Sequence, residues 1–315
     1  MDISVVIPCY NEEKYIHTIL RNILSEKQLS VEIFVVDAGS TDGTVSIVNN
    51  FIKKNDQIVL IHNKKKYVSY GFNETIPRCR GKYISIMGAH AIYPKHFLTE
   101  AFGILESGIC DVVGGPINND AETLIGKSIA YCMESVFGMG NSDFRISSKD
   151  KFVDTVPFPV YKKEVFSNIG VYDVRLIRNQ DDDFHYRAHQ AGYKIFMSQR
   201  LRVVCYVREN YSAFIKQFFQ YGLFKPIVLL KNKRSVKIRH LVPSLFSLYV
   251  FFSCIIILTM PQYDMVLSLF IIYLFIDFYF SFNNNKSLII KLLNLITFPL
   301  MHFSYGIGML AGFKK

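Results

Sequence analysis

Ile3-Ser4-Val5-Val6-Ile7-Pro8-Cys9-Tyr10-Asn11-Glu12-Glu13 and Val31-Glu32-Ile33-Phe34-Val35-Val36-Asp37-Ala38-Gly39-Ser40-Thr41-Asp42-Gly43-Thr44 are the stretches that decide the fold. Residues 3–7 are a short β-branched run stopped by Pro8, as a buried strand is. Residues 12–24 then carry apolar side chains at 15, 16, 19, 20, 23 and 24, a helical spacing. A second buried strand over 31–36 ends at Asp37, turn chemistry fills 38–43, and helical spacing resumes over 44–52. Residues 58–61 and 83–87 read as a third and fourth strand. Strand and helix alternating over short connections predict a mostly parallel α/β sheet with helices on both faces. Ligands of such sheets bind outside the carboxyl ends of the strands. Pro8 to Asn11, Asp37 to Asp42 and Gly88-Ala89-His90 are therefore predicted to share one crevice, with Asp37 placed to hydrogen-bond a base or a ribose. Neither GxGxxG nor GxxxxGK[ST] is present.

The composition narrows the function classes. Half of the 315 residues are hydrophobic and only 20% are charged, which excludes a disordered chain. A net charge of +10 calls for an anionic partner, whether nucleotide phosphate, nucleic acid or lipid headgroup. Six cysteines without a CxxC pair argue against a zinc ribbon or a disulfide-stapled secreted fold and suit a reducing cytosol. The first residues lack the basic start of a signal peptide, so the chain is expected to begin in the cytosol.

The apolar excess is concentrated at the end. Residues 242–260 carry no charge, 263–282 carry only Asp264 and Asp277, and 288–312 are interrupted by Lys291, Pro299 and His302. Twenty apolar residues at about 1.5 Å rise match a bilayer core of roughly 30 Å. The first two runs are predicted to span a membrane, and the third to span or to lie kinked in the interface. Lys225, Lys231, Lys233, Arg234, Lys237 and Arg239 precede the first run with no acid among them, the pattern of a cytoplasmic flank facing anionic lipids. No aromatic-interleaved motif accompanies these cations, so nucleic acid is not expected as a partner. The predicted order is an α/β domain over 1–225, a basic linker over 226–241 and a helical membrane region over 242–315.

Together, Val5 to Glu13 and Val35 to Thr44 resemble the family 2 glycosyltransferases, and the likeness continues through Asn73, Arg80-Gly81-Lys82, Gly88-Ala89-His90 and Gln180-Asp181-Asp182-Asp183. Within that family the chain looks most similar to the succinoglycan-type polysaccharide glucosyltransferases. The resemblance implies a GT-A fold and inverting transfer from a nucleotide-diphosphate sugar, such as a UDP-hexose, to a lipid-linked or polysaccharide acceptor. It also implies a place at the inner membrane, with the catalytic domain on the cytoplasmic face and membrane lipids as partners. Donor binding would fall to Pro8, Tyr10, Glu12, Asp37, Asp42, Asn73, Gly88 and Ala89, with Gln217 from the Gln-x-x-Arg-Trp-like stretch 217–221.

Inverting transfer needs a base for the acceptor hydroxyl and compensation for the departing diphosphate. Asp181 stands at the family's catalytic position and Asp182 is the alternative. Three adjacent carboxylates also suit a helix N-terminus, where Asp183 and Arg187 would pair at i, i+4. The family's metal motif is Asp-x-Asp, or Asp-Ala-His in the most similar group. Gly88 takes the first place here, which leaves His90 as the candidate ligand of a divalent metal, Mn2+ or Mg2+; the missing carboxylate is expected to weaken metal binding, to shift its preference towards Mn2+, or to leave the departing diphosphate to Lys and Arg. Arg178 and Arg208 are candidate phosphate contacts, and the glycines at 114, 115, 138 and 140 suggest mobile loops. The rival reading is a catalytically degenerate scaffold that binds nucleotide sugar, favoured by Gly88 and Gln180.

Overall fold

The structure, a computed structural model, describes residues 1–232 and 236–314. Lys233, Arg234 and Lys315 lie outside the described residues. The strands are β1 (Ile3–Cys9), β2 (Val31–Asp37), β3 (Ile58–His62), β4 (Tyr83–Ile86), β5 (Ala91–Ile92), β6 (Val112–Gly114), β7 (Ile117–Asp120), β8 (Lys151–Phe152), β9 (Val160–Lys162), β10 (Ile195–Met197) and β11 (Val203–Tyr206). The helices are α1 (Glu13–Ser25), α2 (Thr44–Ile52), α3 (Val68–Thr75), α4 (Phe97–Glu106), α5 (Leu124–Glu134), α6 (Val136–Met139), α7 (Asp143–Ile146), α8 (Lys163–Ile169), α9 (Gln180–Gln190), α10 (Tyr211–Lys231), α11 (Ile238–Thr259), α12 (Ser268–Phe282) and α13 (Leu288–Gly312).

Among the described residues the main sheet has eight strands in the order β3-β2-β1-β4-β9-β6-β10-β8. The run β3-β2-β1-β4 is parallel, β9 runs against both β4 and β6, and β10 returns parallel to β6. Strand side chains alternate between faces. On one face Ile3, Val5 and Ile7 of β1 and Ile33 and Val35 of β2 meet Ile16, Ile19, Leu20 and Ile23 of α1 and Phe97 and Leu98 of α4. On the other, Val6, Phe34, Val36 and Ile84 meet Phe72 of α3, Val165 and Phe166 of α8 and Phe184 of α9. Each fully buried aliphatic side chain contributes roughly 1.5–3 kcal/mol, so the central strands are fixed by both layers. The four predicted strands and the first two helices are present within one or two residues of their expected ends.

The chain divides into two compact units, residues 1–118 with 143–205, and residues 119–142 with 206 onward. The expected boundary at 225/226 falls inside α10, and the stretch 119–142 joins the C-terminal helices, a long-range association with no local signal. In the second unit α13 is the hub. Its polar side chains are buried and bonded: Ser128 of α5 donates to Asn294 Oδ1 at 2.8 Å and meets Thr297 Oγ1 at 2.7 Å. His302 Nδ1 meets Tyr273 Oη at 3.0 Å and Nε2 meets the Phe137 carbonyl at 2.9 Å. The third apolar run is thus one continuous helix of 25 residues through Pro299. The helices over Ile238–Thr259, Met265–Phe282 and Leu288–Gly312 are each long and apolar enough to cross a membrane. Leu245, Leu258, Phe251 and Phe275 point outward from α11 and α12, exposed.

Two glycine expectations change. Gly114 ends β6, and a Cβ on Gly115 would run into the Leu201 carbonyl, so these positions serve close packing rather than loop mobility. Helix α10 packs along α13 through Gly222, where a Cβ would strike the Tyr305 carbonyl. Gly222→Leu should therefore destabilise the second unit by about 1–3 kcal/mol through overpacking. Gly103→Ala, mid-helix in α4 with nothing within 4 Å of a Cβ, should stabilise, by roughly 0.5–1 kcal/mol. Thermal unfolding of the detergent-purified chain separates the two, and a harmless Gly222→Leu would contradict the close approach.

Candidate active site

The parallel register of β1 and β2 sets Cys9 opposite Asp37 and brings the loops beyond them together. They are laced by backbone and side chain. Glu12 N–H donates to Thr44 Oγ1 at 2.8 Å, Thr41 N–H to Asn11 Oδ1 at 2.8 Å and Gly43 N–H to Glu13 Oε2 at 3.0 Å. Asp42 accepts from Thr44 N–H at 3.0 Å and from Glu13 N–H at 3.2 Å, serving the starts of α2 and α1 together. Asp37 is buried at the end of β2, its carboxylate accepting from Gly39 N–H at 3.0 Å and Ser40 N–H at 3.1 Å. Tyr10 stands exposed on this rim and Pro8 is half-buried below it.

The end of β4 completes the crevice. Glu12 Oε1 lies 3.0 Å from His90 Nδ1. Pairing of β5 with β11 sets Cys205 opposite Ala91, beside His90. Hydrogen bonds from Cys205 first and Glu12 second push the His90 ring up to about 10. Its side chain is 46% open to water, which screens the pair. Ala89 is buried, and the Gly88 N–H donates to Tyr93 Oη at 2.6 Å.

The acidic run opens α9. Asp183 is fully buried and paired with Arg187 Nε at 3.0 Å, the expected i, i+4 pair. Asp181 is exposed and Asp182 half-buried in the first turn, with Asp182 N–H donating to Asp181 Oδ1 at 3.0 Å. Gln180 Oε1 is a buried acceptor that meets no donor among the described residues. Behind them His185 is buried between Thr155 Oγ1 (2.7 Å from Nδ1) and Tyr161 Oη (2.9 Å from Nε2).

Other expected residues have structural duties. Asn73 has both ends of its amide on the Tyr172 backbone, donating to O at 2.8 Å and accepting from N–H at 3.0 Å, which ties α3 to the segment leading to α9. Arg80 and Gly81 sit at the opposite, amino end of the sheet. There the buried Glu32 takes Arg80 Nε at 2.9 Å and Ser4 Oγ at 2.6 Å. Gln217 lies in the second unit, donating to Tyr221 Oη at 2.8 Å on α10. Arg208 is exposed in the same unit, and Arg178 precedes α9 in the first.

The residues present do not fit a resident divalent ion. Gly88 offers no ligand, His90 Nδ1 is engaged by Glu12, and no group of three or more His, Cys, Asp or Glu side chains among the described residues is arranged to hold a metal.

Comparison with known proteins agrees with this architecture. The family model for glycosyl transferase family 2 matches residues 4–170. The chain belongs to that family. It is 30% identical over 240 residues (73% of this chain, 74% of the relative) to the dolichyl N-acetyl-alpha-D-glucosaminyl phosphate 3-beta-D-2,3-diacetamido-2,3-dideoxy-beta-D-glucuronosyltransferase of Methanococcus voltae. It is 25% identical over 242 residues (76% and 73%) to succinoglycan biosynthesis protein ExoA of Rhizobium meliloti (strain 1021). The mannosyltransferase PcManGT from Pyrobaculum calidifontis, solved in complex with GDP-Man and Mn2+, superposes with a TM-score of 0.60 over 98% of this chain and 85% of that one. At 16% identity that likeness concerns the fold, which is GT-A.

In this family 2 chain, sequence reading passed over Tyr93, Phe158, Cys205 and the Thr155–His185–Tyr161 bridge. The prolines flanking Phe158 were the available signal, since they restrict the backbone on both sides. Burial pushes His185 down to about 4, against an unfolded value near 6.5. Between those values the unfolded chain binds the extra proton, so stability falls as pH drops through the window. His185→Gln should remove that loss, roughly 1.4 kcal/mol per pH unit inside the window. Unfolding midpoints of both proteins at pH 7.5, about 6 and about 5 check this. Parallel pH curves for the two would contradict it.

Proposed function

We propose that this chain is a membrane-anchored inverting glycosyltransferase that moves a sugar from a nucleotide diphosphate, such as a UDP-hexose, to a lipid-linked or polysaccharide acceptor. The observation that carries the reading is the division of labour in the first turn of α9. Asp183 is fully buried against Arg187, while Asp181 is exposed to solvent and Asp182 half-buried, in the domain whose strand ends carry the laced crevice. One of these two carboxylates takes the proton from the acceptor hydroxyl as its oxygen bonds to the anomeric carbon. The bond to the diphosphate breaks in line on the opposite side, and the diphosphate departs with the electron pair. Pro8, Tyr10, Glu12, Asp37, Asp42, Gly88 and Ala89 form the proposed donor side, with Asn73 supporting from α3, and Gln217 of α10 is proposed as a substrate contact on the family likeness of the stretch 217–221 alone. Arg178 and Arg208 remain proposed phosphate contacts.

A lipid-linked acceptor is supported by the Methanococcus relative, whose name specifies a dolichyl phosphate sugar, and a polysaccharide acceptor by the Rhizobium one. Three apolar helices long enough to cross a membrane support a site beside the bilayer surface, where a lipid-linked acceptor is confined. We place the first unit at the cytoplasmic face, from the cations at 225–239. The scaffold reading is favoured by Gly88 and by the unmet acceptor of Gln180, and turnover separates the two.

Asp181→Asn should lower kcat about 10²–10⁴-fold while UDP affinity stays within about threefold. The assay supplies UDP-hexoses with polyprenyl-phosphate-linked sugars to the full chain in detergent. Full turnover in Asp181→Asn moves the base to Asp182, tested by Asp182→Asn. Retention in both, or no turnover by the unmodified chain on any donor, would overturn the enzyme reading.

A further inference from the structure

The space that a side chain at position 88 would take is already filled. A Cβ on Gly88 would stand 2.8 Å from Phe158 Cε1, closer than real Cβ contacts. Phe158 is not casually placed. It lies between Pro157 and Pro159 with φ +47°, a left-handed conformation that a bulky residue adopts only when its surroundings impose it. Its ring meets Tyr93 edge-on at 5.5 Å, and Tyr93 in turn meets Phe97 at 4.9 Å. The Tyr93 hydroxyl holds the same glycine by its backbone, accepting from Gly88 N–H at 2.6 Å and donating to Gly88 O at 3.3 Å. Gly88 is thus pinned through its peptide groups by Tyr93 and covered at the Cβ position by Phe158, whose ring rests on Tyr93 and through it on Phe97.

We propose that Phe158 is a specificity-determining residue that occupies the volume a strand-end carboxylate would need, so that this chain binds its nucleoside diphosphate without a divalent metal. The inference rests on the reading that the crevice binds a nucleotide sugar. An Asp side chain at 88 would have to displace a ring that is wedged against Tyr93 and backed by Phe97. The remaining strand-end side chain, His90, is one imidazole tied through Nδ1 to Glu12 at 3.0 Å, and a single nitrogen does not make an octahedral oxygen site. Gly88 and Phe158 are therefore sterically matched, and a carboxylate at 88 should not be tolerated while Phe158 stays in place.

Calorimetric titration of UDP and of GDP into the detergent-purified full chain, with Mn2+, with Mg2+ and with EDTA, tests this. The unmodified chain should bind one nucleotide with Kd values within about threefold across the three conditions. Gly88→Asp should bind more weakly in all of them. Gly88→Asp/Phe158→Ala should bind at least about tenfold more tightly with Mn2+ than with EDTA. Gly88→Asp/Phe158→Leu is the milder version should the first lose its fold, which unfolding curves report. Binding by the unmodified chain that collapses in EDTA would overturn the inference and leave the nucleotide reading standing. EDTA-indifferent binding in a folded double variant would remove Phe158 from its role. Failure of both nucleotides to bind in every condition would refute the nucleotide reading and this inference with it.

Discussion

Everything at the candidate site hangs from the parallel register that sets Cys9 against Asp37 while β4 pairs along the other edge of β1. With β1 buried on both faces, a slip of one residue would turn Val5 and Val6 each toward the wrong layer, so the register is strongly enforced. Its amino end is fixed by the buried Glu32 of β2, which gathers Ser4 of β1 and Arg80 of the loop before β4. A buried carboxylate with satisfied hydrogen bonds is a poor source of stability but an effective alignment device, because breaking any one bond strands a charge. The carboxyl end inherits that alignment. Asn11, Glu12, Glu13 and Asp42 reach across about thirty residues of sequence and find their partners without further adjustment.

The sheet was legible because β-branched runs ended by turn residues are local signals. The pairing of Asp183 with Arg187 was legible for the same reason, being one helical turn long. What sequence could not disclose are the contacts between distant segments. Asn73 reads as a donor contact through the family likeness, and the structure shows its amide spanning 99 positions to bond both the carbonyl and the N–H of Tyr172. Arg80 and Gly81 carry a family likeness, and their physical duty is at the end of the sheet away from the crevice. Gly81 is required there because a Cβ would meet the backbone of Ser4. Position 88 shows the converse. Its glycine is visible in the sequence as a departure, but the reason for it, a phenylalanine seventy positions away, is not.

The same limit applies to the membrane region. Sequence reading marks down the run 288–312 for Lys291, Pro299 and His302, and the run also carries Asn294 and Thr297, whose polar groups would be costly in a span if left unsatisfied. In α13 Asn294, Thr297 and His302 face inward. Asn294 and Thr297 meet the Ser128 hydroxyl, and His302 is held by Tyr273 and the Phe137 carbonyl. A polar group already bonded within the protein no longer counts against burial in hydrocarbon, so the interruptions argue for neighbours around α13 rather than against a span. Those neighbours include α5 and α6 from residues 119–142, an insertion that hydropathy alone assigns to the α/β domain. The polar stripe of α13 and the displaced segment 119–142 are therefore two halves of one arrangement. Neither can be interpreted alone, because each supplies the hydrogen-bond partners that make the other tolerable.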